Sequence, residues 1–176
     1  MAQVTFDLVT DHFRQFMKHI PLVDGTLVDP TNAAYLEGGE WVTLASSGKA
    51  ERASNVASTG NAATLRSWPV FLERGRTDLQ AKSSRGVPVL WTGGEFEAWT
   101  LLFDAAVTVG SGAPITTILQ PLKVATVDLT STLGRKYTGL VGHGGAADSA
   151  PIVGYVTMLP ANNSGKLQFI TGGRRL

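Results

Sequence analysis

The chain has 176 residues, 43% of them apolar and only 16% charged, with a net charge near +1 and no cysteine. That length suits one domain, or one domain with an arm, and supplies enough apolar mass for a core. The composition excludes disulfides and thiol chemistry, and it gives no global field to recruit nucleic acid or an acidic membrane.

Taken in order, residues 1–24 stand apart. Phe6, Val9, Phe13, Phe16, Met17 and Ile20 recur at steps of three and four, the helical period. Asp7 or Thr5 can cap the start and Pro21 ends the run, so the spacing predicts a helix over about residues 7–19. Such a segment packs either on its own domain or, as an arm, on a neighbouring subunit. Phe6, Phe13, Phe16 and Met17 are the candidate interface residues in the second case, which the large aromatic content of a terminal segment favours.

Residues 25–176 read as a single β-rich domain. Asp24-Gly25 is a turn signal and Glu40–Leu44 a short strand after Gly38-Gly39. Ser46–Lys49 is a turn, and the small polar residues from 49 to 66 read as an exposed loop. Trp68–Glu73 is a strand candidate with Pro69 near its start or on an edge. Val87–Trp91 is another, and Glu95–Leu101 alternates, with Phe96 and Ala98 on one face and Glu95, Glu97 and Trp99 on the other. Ala106–Val109, Leu119–Val124, and the Val127 and Leu129 region follow, separated by Gly and Pro. The last pair is the clearest. Ile152, Tyr155 and Val156 precede Pro160–Gly165, after which Leu167 and Phe169 alternate with polar neighbours, a hairpin with a long loop. About seven to nine short strands at regular spacing predict an all-β sandwich or barrel with an N-terminal helix or arm.

No chemistry-bearing constellation emerges. His143-Gly144-Gly145 looks like an oxyanion loop, but the chain has no G-x-S-x-G elbow to go with it. His12, His19 and His143 lack the carboxylate or Cys pattern of a metal site. Glu95 and Glu97 share one strand face, whereas glycosidase carboxylates oppose each other across a cleft. Arg74, Arg76, Lys82 and Arg85 form a basic link without interleaved aromatics; Arg74, Arg76 and Arg85 are expected to meet carboxylates of a neighbouring subunit rather than nucleic acid. The expectation is no enzyme, no metal and no cofactor. The first residues do not read as a secretory leader, and no run approaches the ~20 apolar residues of a membrane span.

Several segments together carry a resemblance. Gly39–Leu44, Pro69–Ala81, Val89–Trp91 before Gly94–Ala98, Ile152–Val156 and Gly165–Phe169 are similar to decoration (cement) proteins of tailed bacteriophage capsids, over roughly residues 38 to 170. The helical-looking N-terminus departs from simple members, which often begin with an extended arm. The resemblance implies a virion protein made in the host cytoplasm and displayed on the outer capsid surface. There it would clamp neighbouring copies of the major capsid protein, as a homo-oligomer, dimer or trimer, without nucleic-acid or membrane partners. It implies no catalytic residue. Two other readings stand beside it: a carbohydrate-binding β-sandwich, which tryptophans grouped on one groove would favour, and a phage tail or baseplate β-barrel.

Overall fold

The structure, a computed structural model, describes residues 6–9, 17–21, 36–44, 47–53, 67–69, 87–90, 96–107 and 112–171. It is all-β. Eleven strands occur among the described residues: β1 (Phe6–Leu8), β2 (Met17–Ile20), β3 (Trp41–Leu44), β4 (Ala50–Arg52), β5 (Ser67–Pro69), β6 (Val87–Leu90), β7 (Glu97–Thr100), β8 (Pro121–Asp128), β9 (Lys136–Gly142), β10 (Gly154–Met158) and β11 (Leu167–Ile170). One short helix, α1 (Thr130–Leu133), joins β8 to β9.

Six strands form the main antiparallel sheet, in the order β1-β7-β11-β10-β8-β9. β2 pairs with β6, and β3 lies between β4 and β5 in a third small sheet. The alternation expected at β7 is present: Phe96, Ala98 and Thr100 are buried while Glu97 and Trp99 are half-buried. The closing hairpin is present too, with Tyr155 opposite Ile170 and Val156 opposite Phe169. Leu167 and Phe169 point into the core and Gln168 away from it, as a period of two requires.

The described residues bury two apolar clusters, and the larger is built around the main sheet. Phe6, Trp41, Phe96, Ala98, Leu122, Leu140, Val156, Leu167 and Phe169 form one buried cluster. Its centre is the fully buried Phe169, whose ring centroid lies 6.4 Å from Phe6, 6.2 Å from Trp41 and 6.4 Å from Phe96. Each pair is tilted or edge-on, the arrangement that the ring quadrupole favours.

The edge strands of the main sheet are β1 and β9, and one segment touches both. Gly39 lies against Phe6 so closely that a Cβ there would come within 2.7 Å of the Phe6 Cβ, and its φ of +90° also suits only glycine. Two residues on, Trp41 N–H donates to Thr138 Oγ1, and that hydroxyl donates back to the Trp41 carbonyl. Residues 102–104 cover the rest of the β9 edge: Leu140 N–H donates to Leu102 O, and Asp104 N–H to Leu140 O. The exposed edge that invites foreign strands is thereby covered at β9.

Several sequence expectations change here. No helix spans residues 7–19: the described parts are β1 and β2. Phe6 and Ile20 are both buried, but in different sheets, so the apparent helical stripe divides between two strands. The polar stretch after Lys49 begins as β4, with Ala50 and Ala53 fully buried, and residues 54–66 lie outside the described residues. Ala106 lies in a bend and Val107 is in no strand, while Thr108 and Val109 fall outside the described residues. The two strands expected on either side of residue 125 are one continuous eight-residue strand, β8, with Pro121 at its first position, where its missing N–H is tolerated.

Candidate functional site

Three places among the described residues gather chemistry-bearing side chains. The first surrounds Glu40, which is fully buried at the start of β3. Its Oε2 accepts from Glu37 N–H at 2.9 Å and from Arg135 Nη2 at 3.1 Å, and its Oε1 accepts from Thr138 N–H at 3.3 Å. Arg52 adds a hydrogen bond from Nη2 to Oε2 at 3.3 Å. Its Nε, 3.1 Å from Oε1, is not aligned to donate, so that contact is coulombic. Arg135 also lies 4.2 Å over the Tyr137 ring. Burial pushes the Tyr137 phenol up, Glu37 adds to this, and Arg135 opposes it. Both carboxylate oxygens of Glu40 are occupied by donors from the chain itself. The group is a fastener between β3, β4 and β9 and has no lone pair aimed at a substrate.

The second place is the loop after β9. Asp148 Oδ2 meets Lys123 Nζ at 2.6 Å and accepts from Gly144 N–H at 2.9 Å, while Oδ1 accepts from Ala150 N–H at 3.1 Å. Gly145 N–H donates to His143 Nδ1 at 3.1 Å, so Nδ1 carries no proton and Nε2–H donates to Ala150 O at 3.0 Å. His143 and Asp148 therefore tie their own loop down over Lys123, which is 1% exposed although it lies on a strand. The His143-Gly144-Gly145 sequence is a folded strap and not an oxyanion loop: the Gly144 and Gly145 N–H groups already have acceptors.

Burial alone would raise the Asp148 pKa, but hydrogen bonds from Lys123, Gly144 and Ala150 outweigh it and hold the carboxyl below its ordinary 3.8. A depressed folded-state pKa contributes stability that is fully present above the unfolded value and is lost as pH falls through the folded one. Denaturant titrations at a series of pH values should show this loss below about pH 4. Asp148→Asn, which has no proton to gain, should lack that component of the acid slope. An unchanged slope would show that the loop contributes no acid sensitivity.

The third place is an end of the main sheet where two sequence runs without charged side chains meet. No Asp, Glu, Lys, Arg or His lies between Asp104 and Lys123, and none between Asp148 and Lys166. The fold joins these two runs: Leu119 N–H donates to Val156 O, and Val156 N–H to Gln120 O. Two residues, Leu119 and Gln120, thus oppose one, Val156, which is a β-bulge. The first residue of this bulge is left-handed, with φ of +62° at Leu119. Glycine adopts that conformation freely, whereas for a side-chain-bearing residue it costs about 1–2 kcal/mol. The Leu119 side chain is 54% exposed and Ile118 57%, so little burial offsets the strain. Met158, two residues beyond Val156, is exposed as well.

The loop that carries these side chains is held from within. Gln120 Oε1 accepts from Thr116 N–H at 2.8 Å and Thr117 N–H at 3.3 Å, and Nε2 donates to Pro114 O at 2.6 Å. A fixed, uncharged, aliphatic projection can bury area against a protein, since interface centres are depleted of charge and enriched in residues such as Met. It offers nothing to phosphate, metal or a polar substrate.

The residues singled out from sequence are dispersed. Phe6 packs in the buried core of its own sheet. Met17 lies in β2, opposite Leu90. Phe13, Phe16, Arg74, Arg76 and Arg85 fall outside the described residues, as do His12, Lys82, Trp91 and Glu95. His19 is in β2, and no group of His, Asp or Glu that could hold a metal occurs among the described residues. Glu97 accepts from Gln168 Nε2 at 2.8 Å. Of the tryptophans, Trp41 is buried in the core and the Trp99 ring carries the Lys166 ammonium 3.9 Å from its centroid. Among the described residues, no helix is long and apolar enough to cross a membrane.

The residues that sequence reasoning passed over are Glu40, Lys123, Asp148 and Leu119. The charge-free runs were countable in the sequence; what it could not give was their meeting at a bulge. No family model matches the chain, and neither a curated protein nor a solved structure matches it.

Proposed function

We propose that this chain is a structural virion protein that decorates a tailed-phage capsid, binding the outer surface of the major capsid protein shell and clamping neighbouring subunits as a homo-oligomer. No catalysis, cofactor or metal belongs to this reading. The observation that carries it is the convergence of four of the segments that resemble decoration proteins. Trp41 comes from Gly39–Leu44, Phe96 and Ala98 from Gly94–Ala98, Val156 from Ile152–Val156, and Leu167 and Phe169 from Gly165–Phe169, and all of them share one core. Scattered sequence segments define a body only if they pack on each other, and these meet around Phe169. The charged groups at Glu40 and Asp148 support the same reading, because both are engaged in fastening edges and loops, as a rigid surface protein needs.

Cryo-electron microscopy of particles that contain the protein tests this. The expected result is density for the six-stranded sheet on the outer face of the shell, between major capsid subunits. Density in the tail tube or baseplate, or particles without the protein, would overturn it.

A further inference from the structure

We propose that Lys123 and Asp148 condense into an intramolecular amide, a covalent staple between β8 and the loop after β9. The bond is a property of the isolated chain, so it stands or fails without a shell.

The reacting groups are held together and kept from water. Lys123 Nζ lies 2.6 Å from Asp148 Oδ2, and the two side chains are only 2% and 11% exposed. Lysine is rarely buried to this degree, and here its strand neighbours Leu122 and Val124 are buried with it. A fixed contact of this kind replaces a bimolecular encounter and raises the effective concentration of the amine at the carboxyl far above any reached in solution. Amide formation releases water, so a site that largely excludes water favours the product and protects it from hydrolysis. The ion pairs at Glu40 and Asp128 differ. Glu40 faces guanidiniums, which are not deprotonated in proteins. Lys136 and Asp128 are 3.5 Å apart, with side chains 58% and 29% exposed.

The surrounding donors suit the step. Gly144 N–H donates to Oδ2 and Ala150 N–H to Oδ1. These bonds help to hold the carboxyl ionised, so the ion pair is the starting state. A proton passing from Nζ to Oδ2 along their contact turns the ammonium into an amine and the carboxylate into an acid together. Nζ then attacks Cγ, and Oδ1 takes the negative charge beside the Ala150 N–H, a fixed backbone donor of the kind that stabilises an oxyanion. The second Nζ proton leaves with Oδ2 as water when the Cγ–Oδ2 bond breaks, and the third stays on the amide nitrogen. Ammonium and carboxylate thus give amide and water, with no other reactant. His143 holds the strap that carries both donors, through Nε2–H to Ala150 O and through Nδ1, which accepts from Gly145 N–H.

Intact mass spectrometry of the full chain tests the proposal. Folded protein is expected to lose about 18 Da, one water, in a fraction that grows over weeks of incubation, while protein kept in urea loses nothing. Tryptic digestion should then yield peptides 86–135 and 137–166 joined, because an acylated Lys123 is no longer cleaved. Lys123→Arg keeps the charge without the nucleophile and should hold its full mass. An amide has no carboxyl to titrate, so the acid loss tied to Asp148 belongs to the unbonded chain and should fade as the bond forms. A folded wild-type chain that keeps its full mass throughout overturns the proposal. So does a water loss that also occurs in urea or in Lys123→Arg, or that maps to other residues. Should Lys123→Arg fail to fold, the presence or absence of the joined wild-type peptides decides the matter.

Discussion

Glu40→Ala is expected to lower the free energy of unfolding by about 3 kcal/mol or more, the loss usual when one partner of a buried ion pair is removed. The carboxylate is fully buried and faces two guanidiniums, one from β4 and one from the turn before β9. Without it, Arg52 and Arg135 are left close together with like charge, and the N–H groups of Glu37 and Thr138 lose their acceptor. Each buried donor without a partner adds about 1–3 kcal/mol. Part of this is recovered because the Arg52 and Arg135 side chains are 27% and 16% exposed and can turn towards water. Glu40→Gln separates the two contributions, since it keeps the shape and one acceptor oxygen but removes the charge. Urea denaturation should rank wild type above Glu40→Gln and Glu40→Gln above Glu40→Ala. A loss under about 1 kcal/mol for the alanine variant would place the network among ordinary surface pairs.

The same network shows why sequence reading reached some features and missed others. β7 was legible because burial on one face imposes a period of two, and Phe96, Ala98 and Thr100 carry it without interruption. β10 and β11 were legible because Pro160 to Gly165 punctuates them and Leu167 and Phe169 alternate. The N-terminal stripe misled because its two ends, the buried Phe6 and Ile20, belong to strands of different sheets, while Val9 is exposed and Phe13 and Phe16 lie outside the described residues. Periodicity alone does not separate one helical face from two strands that join different sheets, and the pairing of Phe6 with Thr100 and of Met17 with Leu90 decided the outcome. Glu40 was missed for a different reason. Its partner Arg135 is 95 residues away, and no local pattern announces a contact at that range. Lys123 looks like a solvent-facing residue between Leu122 and Val124, yet it is buried and paired with Asp148 of the loop after β9. Arg74, Arg76 and Arg85, read as an interface link, lie outside the described residues, so the structure adds nothing to them.

Phe169→Ala is expected to cost about 3–5 kcal/mol, at the level of full truncation of a buried aromatic ring. The cost comes first from lost burial and from the cavity that a rigid, close-packed interior does not refill. A second part comes from position. Phe169 lies on β11, an interior strand of the main sheet, and its ring contacts Phe6 of the edge strand β1, Phe96 beside β7, and Trp41, whose backbone is hydrogen-bonded to β9. Both ends of the curled sheet therefore lean on this one side chain, and aromatic pairs add about 0.5–1.5 kcal/mol each beyond their burial. Local movement into the cavity is restricted, because Gly39 packs closely on Phe6 and Thr138 is hydrogen-bonded to Trp41. Phe169→Leu keeps most of the volume and should cost under about 1.5 kcal/mol. Urea titration of the two variants gives both the stability and the slope. An alanine variant that loses no more than the leucine variant would show that the sheet can collapse around the missing ring, and that Phe169 is a filler of the core and not the contact on which its two edges meet.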